Sequence, residues 1–200
     1  MQVQSTVTGK PTEFKKPDNF WIEEKRLEIK YEEPLGTGFS SNVYVGKLFG
    51  TSALASLNTK TTQFRDCKVA IKIANEYGNN ESKLLEAEIE LMKKVGYHEH
   101  IVPLLGWSMK QNKTCLVLEL CERNLLSYVK ENHDVQFKHL ISILWQIVQG
   151  NVTYFLKHDT HSFPSPPHST PSLVILKGRK LDSSISKSDF QLQSVMFPQS

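Results

Sequence analysis

An α+β fold, a five-stranded antiparallel sheet carrying one helix and followed by two more helices, is predicted by three patterns in the sequence. Apolar residues alternate at Leu27, Ile29 and Tyr31 and again at Val43 and Val45, on either side of a glycine turn at Gly36 and Gly38. That is the pattern of a hairpin. Further apolar runs of strand length occur at 67–74, 102–109 and 114–120. Between and after them the apolar spacing changes to three and four residues, over 81–95 and again over 125–148, as helices with one buried face require.

Residues 1–19 are polar, contain Lys10-Pro11 and Lys16-Pro17, and read as a flexible lead-in. Order is expected from Phe20-Trp21, which opens a domain spanning 20–121. After the glycine hairpin, Leu48 to Asp66 show no sustained period and read as a long loop at a hairpin tip. The strand Cys67 to Ala74 follows. A helix then starts at Asn79 or Asn80 as N-cap, has Glu81 in its first turn, and runs to Val95, where Gly96 stops it. Two strands, Val102 to Met109 and Thr114 to Leu120, bracket a polar turn at Lys110 to Lys113. Residues 122–150 hold a short helix with Leu125, Leu126 and Val129, and a longer one with Phe137, Leu140, Ile141, Leu144, Ile147 and Val148. That longer helix is apolar enough to need a partner, and a protein covering 137–149 is expected. Beyond Gly150 the character changes. The Pro-rich stretch Phe163 to Pro171 and the polar stretch Ser183 to Ser188 make 151–200 a divergent, disordered tail in which Leu173 to Leu176 alone could pack.

Composition narrows the function classes. With 39% hydrophobic and 22% charged residues, the 200-residue chain suits one globular domain. Its net charge of +3 is a small excess, and the basic residues are scattered, so nucleic acid is not an expected partner. Cys67, Cys115 and Cys121 are odd in number and irregular in spacing, which favours free buried thiols over disulfides. The start lacks the layout of a signal peptide and no segment reaches bilayer-crossing length, so the chain is expected to be cytoplasmic, or the cytoplasmic part of a receptor.

The glycine turn Leu35-Gly36-Thr37-Gly38-Phe39-Ser40-Ser41-Asn42-Val43 can bring backbone amides close to phosphate oxygens, because no Cβ intervenes. A hairpin without a ligand would share that turn. Two other phosphate-binding designs do not fit: no Lys-Ser or Lys-Thr follows, and a strand follows rather than a helix. Lys72, in the apolar strand Val69-Ala70-Ile71-Lys72, must either reach solvent or meet negative charge, and a phosphate would supply it. A carboxylate is expected opposite. Glu88 lies between Leu84-Leu85 one turn before and Leu91-Met92 one turn after, inside the apolar stripe of its helix, where an unpaired acid is rare.

With these motifs in order, the region from about Trp21 to Gly150 resembles the N-terminal lobe of a protein kinase. The segments Trp21-Ile22-Glu23, Arg26-Leu27 and Val95 to Gly106 are similar to receptor-type tyrosine kinases. The resemblance implies ATP as cofactor: Gly36 and Gly38 cover its phosphates, Lys72 pairs with the α- and β-phosphates and with Glu88, and Val43 and Ala70 sandwich the adenine. Leu118 matches the gatekeeper position, and Glu119 to Cys121 match the hinge whose backbone bonds the adenine edge. Ser41 stands at the third glycine position, which is expected to stiffen the loop modestly.

The resemblance also implies magnesium, held by an asparagine and an aspartate, and a third group that orients the substrate hydroxyl. None is identified. His158-Asp159 lacks the arginine of His-Arg-Asp, and Asp189-Phe190-Gln191 has glutamine where Asp-Phe-Gly has glycine. No catalytic or metal-ligating residue is therefore assigned. The expected protein is an ATP-binding kinase domain of tyrosine-kinase type, truncated before its catalytic loop and inactive as it stands. The alternative is a non-catalytic, pseudokinase-like nucleotide-binding or regulatory module.

Overall fold

The computed structural model describes residues 17–38, 41–75, 81–121, 124–132 and 135–158. The helix N-cap at 79–80, the tail motifs at 163–171, 173–176 and 189–191, and most of the lead-in lie outside the described residues.

Strands β1 (Leu27–Thr37), β2 (Ser41–Leu48), β3 (Lys68–Ala74), β4 (Leu104–Lys110) and β5 (Lys113–Glu119) form one antiparallel sheet in the order β1-β2-β3-β5-β4. The pleat of β3 divides the core. Val69, Ile71 and Ile73 face one cluster with Leu48, Leu105 and Val117, while Ala70 and Ala74 face a second with Leu85, Ile89, Trp107 and Leu118. Helix α2 (Glu81–Val95) supplies Leu85 and Ile89 to the second cluster. It ends where expected: Gly96 has φ of 66° and its N–H donates to Met92 O at 2.9 Å.

The other face of the sheet is covered by a segment that the sequence pattern reads as an irregular loop. Residues 49–66 instead contain helix α1 (Ala53–Leu57) and a short 3-10 turn at Thr59–Thr61. A helix of five residues is too short to show a period, and side-chain caps hold it. Ser52 Oγ accepts from Ala55 N at 3.0 Å, Asn58 Oδ1 accepts from Lys60 N at 2.9 Å, and Thr61 Oγ1 donates to Asn58 O at 2.7 Å. Ala53, Leu54 and Phe64 are buried beneath them.

Helix α3 (Leu125–Glu131) leads to α4 (Phe137–His158). Expected to end near Gly150, α4 continues eight residues further. A mid-helix glycine costs only about 1 kcal/mol relative to alanine, and contacts beyond it offset that. Tyr154 packs on the cluster of Val95, Ile101 and Ile143, and Lys157 Nζ donates to Val95 O at the end of α2, where a cation complements the helix dipole. As the sequence suggests, one face of α4 has little cover: Ile141, Leu144, Trp145 and Leu156 are exposed. No helix among the described residues is long and apolar enough to cross a membrane.

All three cysteines are free thiols, and burial pushes Cys115 up to about 11.

Candidate functional site

The register of the sheet lines up the candidate residues. Gly36 pairs with Val43, Val43 with Lys72, Lys72 with Leu116 and Leu116 with Trp107, one row across all five strands. In the next row on the same face Ala70 pairs with Leu118, and Leu118 with Leu104. Val43 packs against the cluster that contains Ala70, Leu118 and Cys121. Seven of the candidates, Gly36, Val43, Ala70, Lys72, Glu88, Leu118 and Cys121, thus converge on the α2 side of the sheet, with Gly36 at its β1 edge.

Lys72 sits in this apolar surface at 8% exposure and is fixed by α2. Its Nζ donates to Glu88 Oε2 at 2.6 Å and to Oε1 at 2.9 Å, and both side chains are 11% exposed. Burial pushes the Glu88 carboxyl above its usual range, and the Lys72 charge and hydrogen bonds only partly pull it back. An acid and a base so enclosed satisfy each other, yet two ammonium hydrogens point away from the first carboxylate oxygen and one remains to be offered to another anion.

At the turn, Gly38 N donates to Ser41 O at 3.0 Å and Asn75 Nδ2 donates to Gly38 O at 2.7 Å, closing the base of the loop. Phe39 and Ser40 at its tip lie outside the described residues. A Cβ built on Gly36 would meet nothing within 4 Å. Neither packing nor a positive φ demands glycine there, and the space beside it is open. Glu119 ends β5 and Leu120 and Cys121 follow as irregular chain, and the Glu119 N–H donates to Pro103 O at 3.4 Å. Among the described residues no group of three or more His, Cys, Asp or Glu could hold a metal ion.

The sequence reading missed Asp18, placed in the flexible lead-in. Its Oδ1 accepts from Trp107 Nε1 at 2.8 Å and from Phe20 N at 2.9 Å, and its Oδ2 accepts from Lys93 Nζ. Partial burial raises the Asp18 carboxyl, but the hydrogen bonds from Lys93, Trp107 and Phe20 outweigh it and hold the group below its usual range. Just after Asp18 the chain also bonds to β4, through Trp107 N to Phe20 O and Ile22 N to Trp107 O, both at 2.8 Å. Gly106 permits this: a Cβ there would lie 2.4 Å from Ile22 Cδ1 and 2.8 Å from Phe20 O. The available signal was Trp107 itself, an indole N–H in an apolar strand that needs an acceptor.

Residues 29–160 match the family model described as protein tyrosine and serine/threonine kinase. The chain is 33% identical over 98 residues to the tyrosine-protein kinase receptor torso of Bombyx mori, covering 48% of this chain and 12% of that protein. It is 29% identical over 121 residues to the receptor-like tyrosine-protein kinase kin-15 of Caenorhabditis elegans, covering 58% and 24%. With fibroblast growth factor receptor 1 of Pleurodeles waltl it shares 24% identity over 157 residues, covering 70% and 18%. The chain therefore spans less than a quarter of the length of these relatives.

Proposed function

The chain belongs to the family of protein tyrosine and serine/threonine kinases, and from that membership we propose that it binds ATP between the glycine turn and the sheet, as the nucleotide-binding part of a kinase of tyrosine type. One observation carries the reading: the enclosed Lys72–Glu88 pair, in the same cross-strand row as Gly36 and Val43. Glu88 holds the Lys72 ammonium in place, so that its charge is offered to the α- and β-phosphates without reorganisation. Amides of the Gly36–Gly38 turn approach the phosphates from above, and the open space beside Gly36 fits them. Val43 and Ala70 enclose the adenine, Leu118 closes the back of the cleft, and the backbone of Glu119 to Cys121 bonds the adenine edge. In the family the bound nucleotide supplies a phosphoryl group for transfer to a protein hydroxyl. Magnesium accompanies it there, but no group of three or more His, Cys, Asp or Glu that could hold a metal ion is found among the described residues, and no step is assigned to the ion.

A second reading concerns the chain by itself. Its sequence contains no His-Arg-Asp and no Asp-Phe-Gly, so this stretch is a nucleotide-binding module rather than a complete catalyst. The exposed apolar residues of α4 support a protein partner over 137–149. The tyrosine assignment and a cytoplasmic site of action rest on the receptor kinases to which the chain is similar.

The test is a thermal-shift titration with magnesium and ATP beside an autophosphorylation assay. Stabilisation without phosphate incorporation supports both readings. Incorporation that Lys72→Met abolishes overturns the second, and no stabilisation at all overturns the first.

A further inference from the structure

Helix α2 carries Glu88, and its grip on the sheet has three parts. Leu85, Ile89 and Met92 pack into the cluster around Ala70 and Leu118. Glu88 binds Lys72 from β3. At the other end Lys93 binds Asp18, which also accepts the indole N–H of Trp107 from β4. Viewed down the axis at about 100° per residue, Lys93 lies about 140° from Glu88, and Met92, Leu85 and Ile89 lie about 40°, 60° and 100° round on the same side. The apolar stripe therefore runs between two charged anchors. Apolar contact is non-directional and tolerates a helix rolling about its axis. Two hydrogen-bonded ion pairs on opposite flanks do not tolerate it.

The anchors share a frame. Lys72 and Trp107 belong to one cross-strand row, separated by β5, so they are about 10 Å apart at the usual strand spacing. The five-residue rise from Glu88 to Lys93 is about 7.5 Å, which lets one helix meet both ends of that row. Trp107 is fully buried and presents a fixed donor. Lys93 also binds Glu90 at 2.9 Å, but Glu90 is on the same helix and says nothing about where the helix sits. Its ring contact with Trp107, at 5.5 Å, adds a second link to the sheet. Asp18 precedes the matched residues 29–160, so the family comparison does not extend to it.

We propose that Asp18 is a positioning residue: by tying Lys93 to Trp107 it fixes the roll of α2 and so keeps Glu88 on Lys72. Its functional meaning rests on the reading of Lys72 and Glu88 given above, whereas its structural content does not. Loss of the tie lets α2 roll toward solvent at its Lys93 edge, and the Glu88 carboxylate moves off the ammonium. The effect on Lys72 is local, since the apolar stripe keeps the helix attached.

The experiment uses the full 200-residue chain without nucleotide. Lysines are acetylated with an N-hydroxysuccinimide ester, and modification of each peptide is followed by mass spectrometry. Lys72 held by Glu88 reacts slowly. Asp18→Asn, and independently Lys93→Gln, which leaves the Asp18–Trp107 bond in place, are expected to speed Lys72 acetylation about fivefold. Lys110, in the β4–β5 hairpin, is expected to be unchanged. Asp18→Glu, which keeps the charge, restores slow reaction. An unchanged Lys72 rate in both variants overturns the proposal. So does an equal rise at Lys72 and Lys110, the mark of general loosening. If Asp18→Asn does not fold, Lys93→Gln decides alone. Because no ATP is present, failure of ATP binding and failure of this proposal are separate results.

Discussion

Lys72 and Glu88, sixteen residues apart in sequence, meet through two hydrogen bonds of 2.6 Å and 2.9 Å in a surface where each is 11% exposed. The pair joins β3 to a helix whose other contacts with the sheet are an apolar stripe and, at its far end, Lys93 beside Trp107. Its counterpart at the far end of the helix is the contact of Asp18 with Lys93.

Replacing Lys72 by Met removes one charge and leaves the other buried. Breaking such a pair costs about 3 kcal/mol, and the cost should depend on pH. Burial already places the Glu88 pKa above the ordinary carboxylate range. A raised folded-state pKa contributes stability that is full below the unfolded value and is lost as pH rises through the folded one. Without Lys72 the shift upward is larger, so Lys72→Met should lose melting temperature more steeply than the native chain as pH rises above the ordinary carboxylate range. Parallel melting curves across that rise in pH would contradict the pairing of Lys72 with Glu88.

Asp18 behaves with the opposite sign. Its pKa is lowered from 3.8, so its contribution is present above that value and disappears as pH falls through the folded pKa. Asp18→Asn should lose about 1 kcal/mol at neutral pH, a modest figure because solvent screens a partly open carboxylate. The difference from the native chain should close as pH falls below about 4. Chemical denaturation at neutral and at acid pH measures both limits.

Tyr154 lies beyond the point where the sequence pattern changes, yet it packs on Val95, Ile101 and Ile143. Tyr154→Ala should destabilise the α2–α4 junction by about 2 kcal/mol. An unchanged denaturation midpoint would mean that the second half of α4 does not support the small lobe.

Much of this arrangement could be read from the sequence because it rests on exceptions to simple patterns. A lysine in an apolar strand and a glutamate in an apolar stripe each break the expected rule, and together they predict their own contact. The hairpin and α2 were equally legible, since alternation, Gly38 and Gly96 mark their limits. What escaped had no such mark. Helix α1 is five residues long and held by caps at Ser52 and Asn58, a scale below any period. Asp18 sits in a polar run, and nothing local shows that its partners lie 75 and 89 residues away. Gly150 resembles a helix stop, but tertiary contacts of Tyr154 and Lys157 carry α4 through it.

Calorimetric titration of the native chain and of Lys72→Met with magnesium and ATP tests the central claim most directly. The account predicts saturable binding to the native chain, weakened at least tenfold in the variant, a difference of about 1.4 kcal/mol or more, with the variant shown to be folded at the titration temperature. Equal affinity of both proteins, or binding by neither, would contradict it.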